Sequence, residues 1–174
     1  MPERNYGLFG PFEIPRAANG RVDQRVLGDF WEKAEAGCPG LAKASGCYIF
    51  GIRAAKGARP WYVGQARKAF KRECFTDSKL LRYNTVLADQ DKGTPILFLL
   101  ARMTPGGRFK MSLGVREAGW VESMLIHHCL DANGDLLNVS GTALSTEVVI
   151  PGLFRSPPGK PTPEARFLKT LLSL

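Results

Sequence analysis

The sequence predicts an α+β fold, and three observations carry that prediction. Residues 47–52 and 61–64 are short β-prone runs with turn-forming residues between them. Residues 95–102 contain the unbroken apolar run Ile96-Leu97-Phe98-Leu99-Leu100, and residues 115–130 repeat apolar side chains at helical spacing. With a short helical pattern between the second and third strands, the order is strand, strand, helix, strand, helix.

Each element has its own reason. Ahead of the first strand, Val26, Leu27, Phe30, Trp31 and Ala34 form an amphipathic stripe in a helix that Gly37 and Pro39 terminate. Between the first two strands, Lys56, Gly57, Arg59 and Pro60 suit a turn, so the pair reads as a β-hairpin. Tyr48 and Tyr62 lie at similar depth from that turn, which brings the two phenols near each other on paired strands. Gly64 frees the backbone to leave the strand and enter a helix.

Over residues 66–75 the steps of four from Ala66 to Phe70 to Cys74 predict a helix with an apolar stripe. Lys68, Lys71 and Arg72 fall on its other side, with Arg67 at the margin. Lys68 and Arg72, four apart, point the same way and present two cations beside the hairpin. A guanidinium fork and a mobile ammonium together suit a phosphate. The apolar run at 95–102 has the length of a well-buried third strand, and Thr104-Pro105-Gly106-Gly107 ends it with turn chemistry.

Glu122 is the sharpest single residue. On the helix expected over 115–130 its neighbours on the wheel are Ala118, Gly119, Leu125, Ile126 and Cys129, so the carboxylate emerges from the buried face. Burying a carboxylate without a partner costs on the order of several kcal/mol, so the position calls for a divalent cation or an arginine. Glu117, His127 and His128 fall toward the opposite, more polar side and need no special explanation.

Gly46-Cys47-Tyr48, Tyr62-Val63-Gly64, Arg72 in a basic stretch, Glu122 on a helix and the later Asn138 resemble, in order, the signature of the GIY-YIG nuclease superfamily. The resemblance covers residues 45–138. Cys47 stands where isoleucine is usual, Arg67 competes with Arg72 for the arginine role, and Asn133 lies near Asn138. The resemblance implies a small three-stranded antiparallel sheet flanked by helices. It implies Tyr48, Tyr62, Arg72, Glu122 and Asn138 as catalytic residues, and one Mg²⁺ or Mn²⁺ ion per site held by Glu122. Arg72 would stabilise the transition state at phosphorus, and Tyr48, beside Tyr62, would orient or deprotonate the attacking water. Arg67, Lys68 and Lys71 are expected as general contacts to the DNA backbone.

Size and charge bound the rest. A chain of 174 residues, 44% of them apolar, suits a single domain over 1–174: an N-terminal extension over 1–44, a nuclease-like core over 45–140 and a C-terminal extension over 141–174. In the last, Phe154 opens a connector rich in proline and glycine. Thr162 and Pro163 cap a final helix bearing Phe167, Leu168, Leu171 and Leu172, which docks on the core or on another subunit. A formal charge of +8 and a pI near 9.6 favour a polyanion, nucleic acid more than membrane. No run of about 20 apolar residues and no signal-peptide pattern appears, so a cytoplasmic protein is expected.

Cys38, Cys47, Cys74 and Cys129 contain no Cys-x-x-Cys pair and read as reduced, largely buried thiols. His127-His128-Cys129 cannot all face one zinc ion, since adjacent helical positions diverge by about 100°. These readings lead to a metal-dependent DNA endonuclease of the restriction, repair or mobile-element type. Its alternative is a catalytically inactive nucleic-acid-binding protein on the same fold, against which the joint presence of Tyr48, Tyr62, Arg72 and Glu122 argues. Cuts in both DNA strands need two sites or two encounters, which leaves a homo-oligomer open.

Overall fold

The computed structural model describes residues 4–55, 57–90, 92–138, 162–163 and 166–167. The expected C-terminal connector and nearly all of the terminal helix lie outside the described residues. In chain order the elements are β1 (Tyr6–Glu13), α1 (Leu27–Gly37), β2 (Gly46–Ala54), β3 (Gly57–Ala66), α2 (Phe70–Glu73), α3 (Asp77–Asp89), β4 (Thr94–Arg102) and α4 (Val115–Ala132). No helix among the described residues is long and apolar enough to cross a membrane.

Among the described residues the sheet is antiparallel throughout, but it has four strands in the order β1-β4-β2-β3. The three-strand expectation is therefore corrected by β1, which pairs with β4 from Tyr6 opposite Arg102 to Glu13 opposite Ile96. Gly10-Pro11 hides this strand in the sequence because the pair is turn chemistry. Here it sits where the register shifts between Phe9 and Phe12, on an edge strand, where a missing N–H costs no ladder bond.

The hairpin is present with a tighter turn than expected, since pairing runs down to Ala54 opposite Gly57. Arg59 and Pro60 belong to β3, and the register shifts beside Phe50. As a result Tyr48 faces Gly64 and Tyr62 faces Phe50, which makes the two tyrosines diagonal neighbours with ring centroids 6.3 Å apart.

Two glycines are dictated by close approach. A Cβ on Gly64 would lie 2.9 Å from Tyr48 Cε2 and closer still to its Cζ and hydroxyl. The expectation that Gly64 frees the chain to leave the strand is thus corrected: β3 continues to Ala66, and the glycine makes room for the Tyr48 ring. A Cβ on Gly46 would strike the Leu100 carbonyl of β4 and come 2.9 Å from Phe70 Cζ.

The larger core lies on the sheet face that carries Tyr48, Phe50 and Ile52, against Phe30, Trp31, Leu41, Phe70, Phe75, Leu80 and Tyr83. Phe50 stacks on Tyr83 with centroids 4.1 Å apart, and Phe30 meets Trp31 and Phe75 edge to face. The stripe expected in α1 is buried at Leu27, Phe30, Trp31 and Ala34. On the opposite face, α4 packs Ile126 and Cys129 against Val63, with Ile49 and Leu136 beside them.

The helix expected over 66–75 shrinks to the single turn of α2, because Ala66 ends a strand and Ala69 is extended. Ala66, Phe70 and Cys74 are all buried as the stripe required, yet Lys68 precedes the helix and does not share its face with Arg72 by helical spacing.

Candidate active site

Alternation along β3 sends Tyr62 to one face and Val63 to the other, so an edge position on this strand can be reached from both sides. Tyr48 and Tyr62 reach it from the larger core, joined by Lys79 and Arg82 of α3. Glu122 reaches it from α4.

Tyr48 is fully buried, and its hydroxyl has no hydrogen-bond partner among the described residues. Tyr62 and Tyr83 crowd it without reaching hydrogen-bonding geometry; the Tyr83 hydroxyl donates instead to the Cys74 carbonyl, 2.9 Å away. Burial drives the Tyr48 phenol well above its ordinary value, with the charges of Tyr83, Cys74 and Tyr62 acting in the same direction. The less buried Tyr62 phenol is also raised, first by burial and partly offset by Arg82, whose guanidinium carbon lies 5.6 Å from the ring centroid.

Glu122 sits among Ala118, Ile126 and Cys129 on the inward side of α4 and is half-buried. Its Oε2 accepts one hydrogen bond, 3.0 Å from Gln65 Nε2. Burial raises its pKa, against the charge of Lys79 and the Gln65 hydrogen bonds. Lys79 is itself held low by burial, with the charges of Cys74, Glu73 and Glu122 opposing that shift. Its ammonium lies 5.2 Å from the Tyr48 ring centroid and donates to the Glu73 carbonyl.

Asn138 clamps the outer edge of β3: its Oδ1 accepts from Val63 N–H at 2.9 Å and its Nδ2 donates to the Val63 carbonyl at 2.8 Å. Leu137 N–H donates to the Trp61 carbonyl, and Asn133 Nδ2 to the Pro60 carbonyl at 2.7 Å. The chain after α4 thus supplies the partners an edge strand otherwise lacks. Arg82 holds this segment in turn through the Leu137 carbonyl.

The basic residues lie apart from this cluster. Arg67, Lys68 and Arg72 are exposed and line a depression of about 400 Å³ with Glu73, Ser112 and Leu113, while Lys71 is exposed on α2. Glu73 Oε1 accepts from the Lys68 N–H, which ties the rim together. The opposing charge felt by Glu122 is that of Lys79.

Tyr48, Tyr62 and Glu122 therefore converge, Asn138 braces the strand between them, and Arg72 faces a neighbouring basic depression. Gln65, Lys79 and Arg82 are additions that the motif does not contain. The α3 pattern was there to find: Leu80, Tyr83 and Leu87 repeat at helical steps after Thr76-Asp77, placing Lys79 beside the apolar stripe.

Glu117, expected on the more polar side with no need of a special explanation, has partly buried partners instead. Its Oε1 binds Arg102 Nε at 2.5 Å and accepts from the Tyr6 hydroxyl at 3.2 Å, with Arg4 3.8 Å from its other oxygen. Arg102 is buried on β4 and Tyr6 lies on the strand that was not expected, so this need was invisible from the helix alone.

No protein-family model, curated protein or solved structure matches the chain, and the site is read from its own residues.

Proposed function

We propose that the chain is a divalent-metal-dependent DNA endonuclease of GIY-YIG type. The observation that carries this reading is the convergence of Tyr48, Tyr62 and half-buried Glu122 at one braced strand edge, in a fold that also presents a depression rimmed by Arg67, Lys68 and Arg72.

The donor set fits magnesium or manganese. A single carboxylate hydrogen-bonded by Gln65 keeps lone pairs free, and magnesium binds through one or two carboxylates while retaining waters and taking phosphate oxygens. Bound there, the ion supplies Lewis-acid stabilisation of charge on the phosphoryl group and the leaving oxygen. Gln65 orients the Glu122 carboxylate. Burial opposes the Tyr48 phenolate, which favours a part in orienting the attacking water over one in deprotonating it. Tyr62 packs beside it, and Asn138 fixes the backbone of the residue between Tyr62 and Gly64. Arg67, Lys68, Lys71 and Arg72 hold the DNA backbone.

A second reading, a nucleic-acid-binding protein that does not cut, draws on the position of Arg72 in the basic depression, whose lining does not include Glu122. Incubation of supercoiled plasmid with the protein and Mg²⁺ or Mn²⁺, beside EDTA and Glu122→Gln controls, separates the two. Nicking or linearisation that vanishes in both controls is expected; retarded but intact plasmid in every metal establishes the binding protein instead.

A further inference from the structure

Lys79 reaches the tyrosine–glutamate cluster from within the fold, one turn of α3 before Arg82. It stands in the first turn of α3, half-buried, with its ammonium over the Tyr48 ring. Its hydrogen bond goes to a neutral acceptor, the Glu73 carbonyl. Lys79 and Glu122 attract each other across the site without closing into an ion pair, and one oxygen of Glu122 is occupied by Gln65. A partly desolvated ammonium and a partly desolvated carboxylate that attract each other make a site positive on one side and negative on the other. A phosphate oxygen fits the lysine side, because a charge-assisted hydrogen bond to an anion outcompetes one to a neutral carbonyl. The four-carbon stem gives the ammonium the freedom to make that exchange.

We propose that Lys79 is a catalytic residue of this site: its ammonium contacts a non-bridging oxygen of the scissile phosphate and supplies the positive charge that the sequence motif assigns to Arg72. This rests on the nuclease reading given above. Arg72, in the depression with Arg67, Lys68 and Ser112, holds the flanking backbone instead.

Lys79→Met, Lys79→Arg, Arg72→Met and Glu122→Gln test the assignment in two independent ways. In single-turnover plasmid cleavage at saturating DNA, Lys79→Met lowers the rate about 100-fold, and Lys79→Arg returns it to within about tenfold of wild type. Arg72→Met weakens DNA binding with a smaller loss of rate. In DNA-free protein, Mn²⁺ binding is followed by water-proton relaxation. Glu122→Gln abolishes it, whereas Lys79→Met tightens it about threefold because a like charge facing the ion is gone. Thermal melting confirms that each variant is folded. A Lys79→Met rate equal to wild type, or equal losses in the Met and Arg variants with unchanged Mn²⁺ affinity, overturns the proposal and leaves the nuclease reading standing. A wild type that neither cuts nor loses Mn²⁺ binding on Glu122→Gln overturns the nuclease reading, and the Lys79 assignment with it.

Discussion

Glu117 and Glu122 stand five residues apart on one helix, are both partly covered by the fold, and have opposite electrostatic fates. Burial pushes both carboxyls up. At Glu117 the Arg102 hydrogen bond and charge, helped by Tyr6 and Arg4, outweigh it and hold the group below its ordinary value. At Glu122 the opposing charge of Lys79 and the hydrogen bonds of Gln65 fall short, and the group stays raised. A carboxylate with its partners in place is part of the framework. One whose burial is left uncompensated is the kind of group from which functional sites are built.

The contrast breaks first, and most heavily, on stability. Glu117→Gln leaves the buried Arg102 without its counter-charge and is expected to cost about 3–5 kcal/mol in urea unfolding. Equal stability of Glu117→Gln and Glu122→Gln would remove the distinction between the two acids. Gly64→Ala comes next, at about 1–3 kcal/mol, because the added methyl meets the fully buried Tyr48 ring. The loss shrinks in a Tyr48→Leu background if the glycine serves that ring, and persists if it serves the backbone. Asn138→Ala should cost about 1–2 kcal/mol by stripping Val63 of both edge partners, with faster deuterium exchange at the Val63 amide as the local signature.

The smallest stability effect has the opposite sign. Because the folded-state pKa of Glu122 is raised above its unfolded value, the fold favours the protonated form. The group's contribution is favourable below about pH 4.5 and is lost as pH rises through the folded value. Glu122→Gln is therefore expected to raise the melting temperature by about 1–3 °C at pH 7 in EDTA, with the gain fading toward pH 4. For Glu117 the lowered pKa places its stabilisation above the unfolded value, to be lost as pH falls through the folded one. A pH series on the two glutamine variants should thus diverge in sign.

Much of this was legible in local pattern. The apolar run of β4, the two tyrosine runs of the hairpin and the inward face of α4 at Ala118, Ile126 and Cys129 follow from periodicities that each segment carries by itself. Three things were not. Gly10-Pro11 disguised β1, whose pairing depends on β4 more than eighty residues later. Extended Ala69 cut the basic helix to one turn, so Arg72 lost the helical neighbour that spacing had assigned it. The partners of Glu117 and Glu122 came from β1, β3, β4 and α3, none of which can be matched to α4 by counting along the chain.

The sequence by itself determined which segments pair or coil, that two tyrosines share a hairpin, and that one glutamate of α4 emerges among apolar neighbours. Those properties depend on residues a few positions apart. The tertiary structure alone decided that Arg102 neutralises Glu117, that Lys79 supplies the opposing charge at Glu122, and that Gly64 is required by the ring opposite it. Burial, charge pairing and close approach are set by distances in space, which counting along the chain does not give.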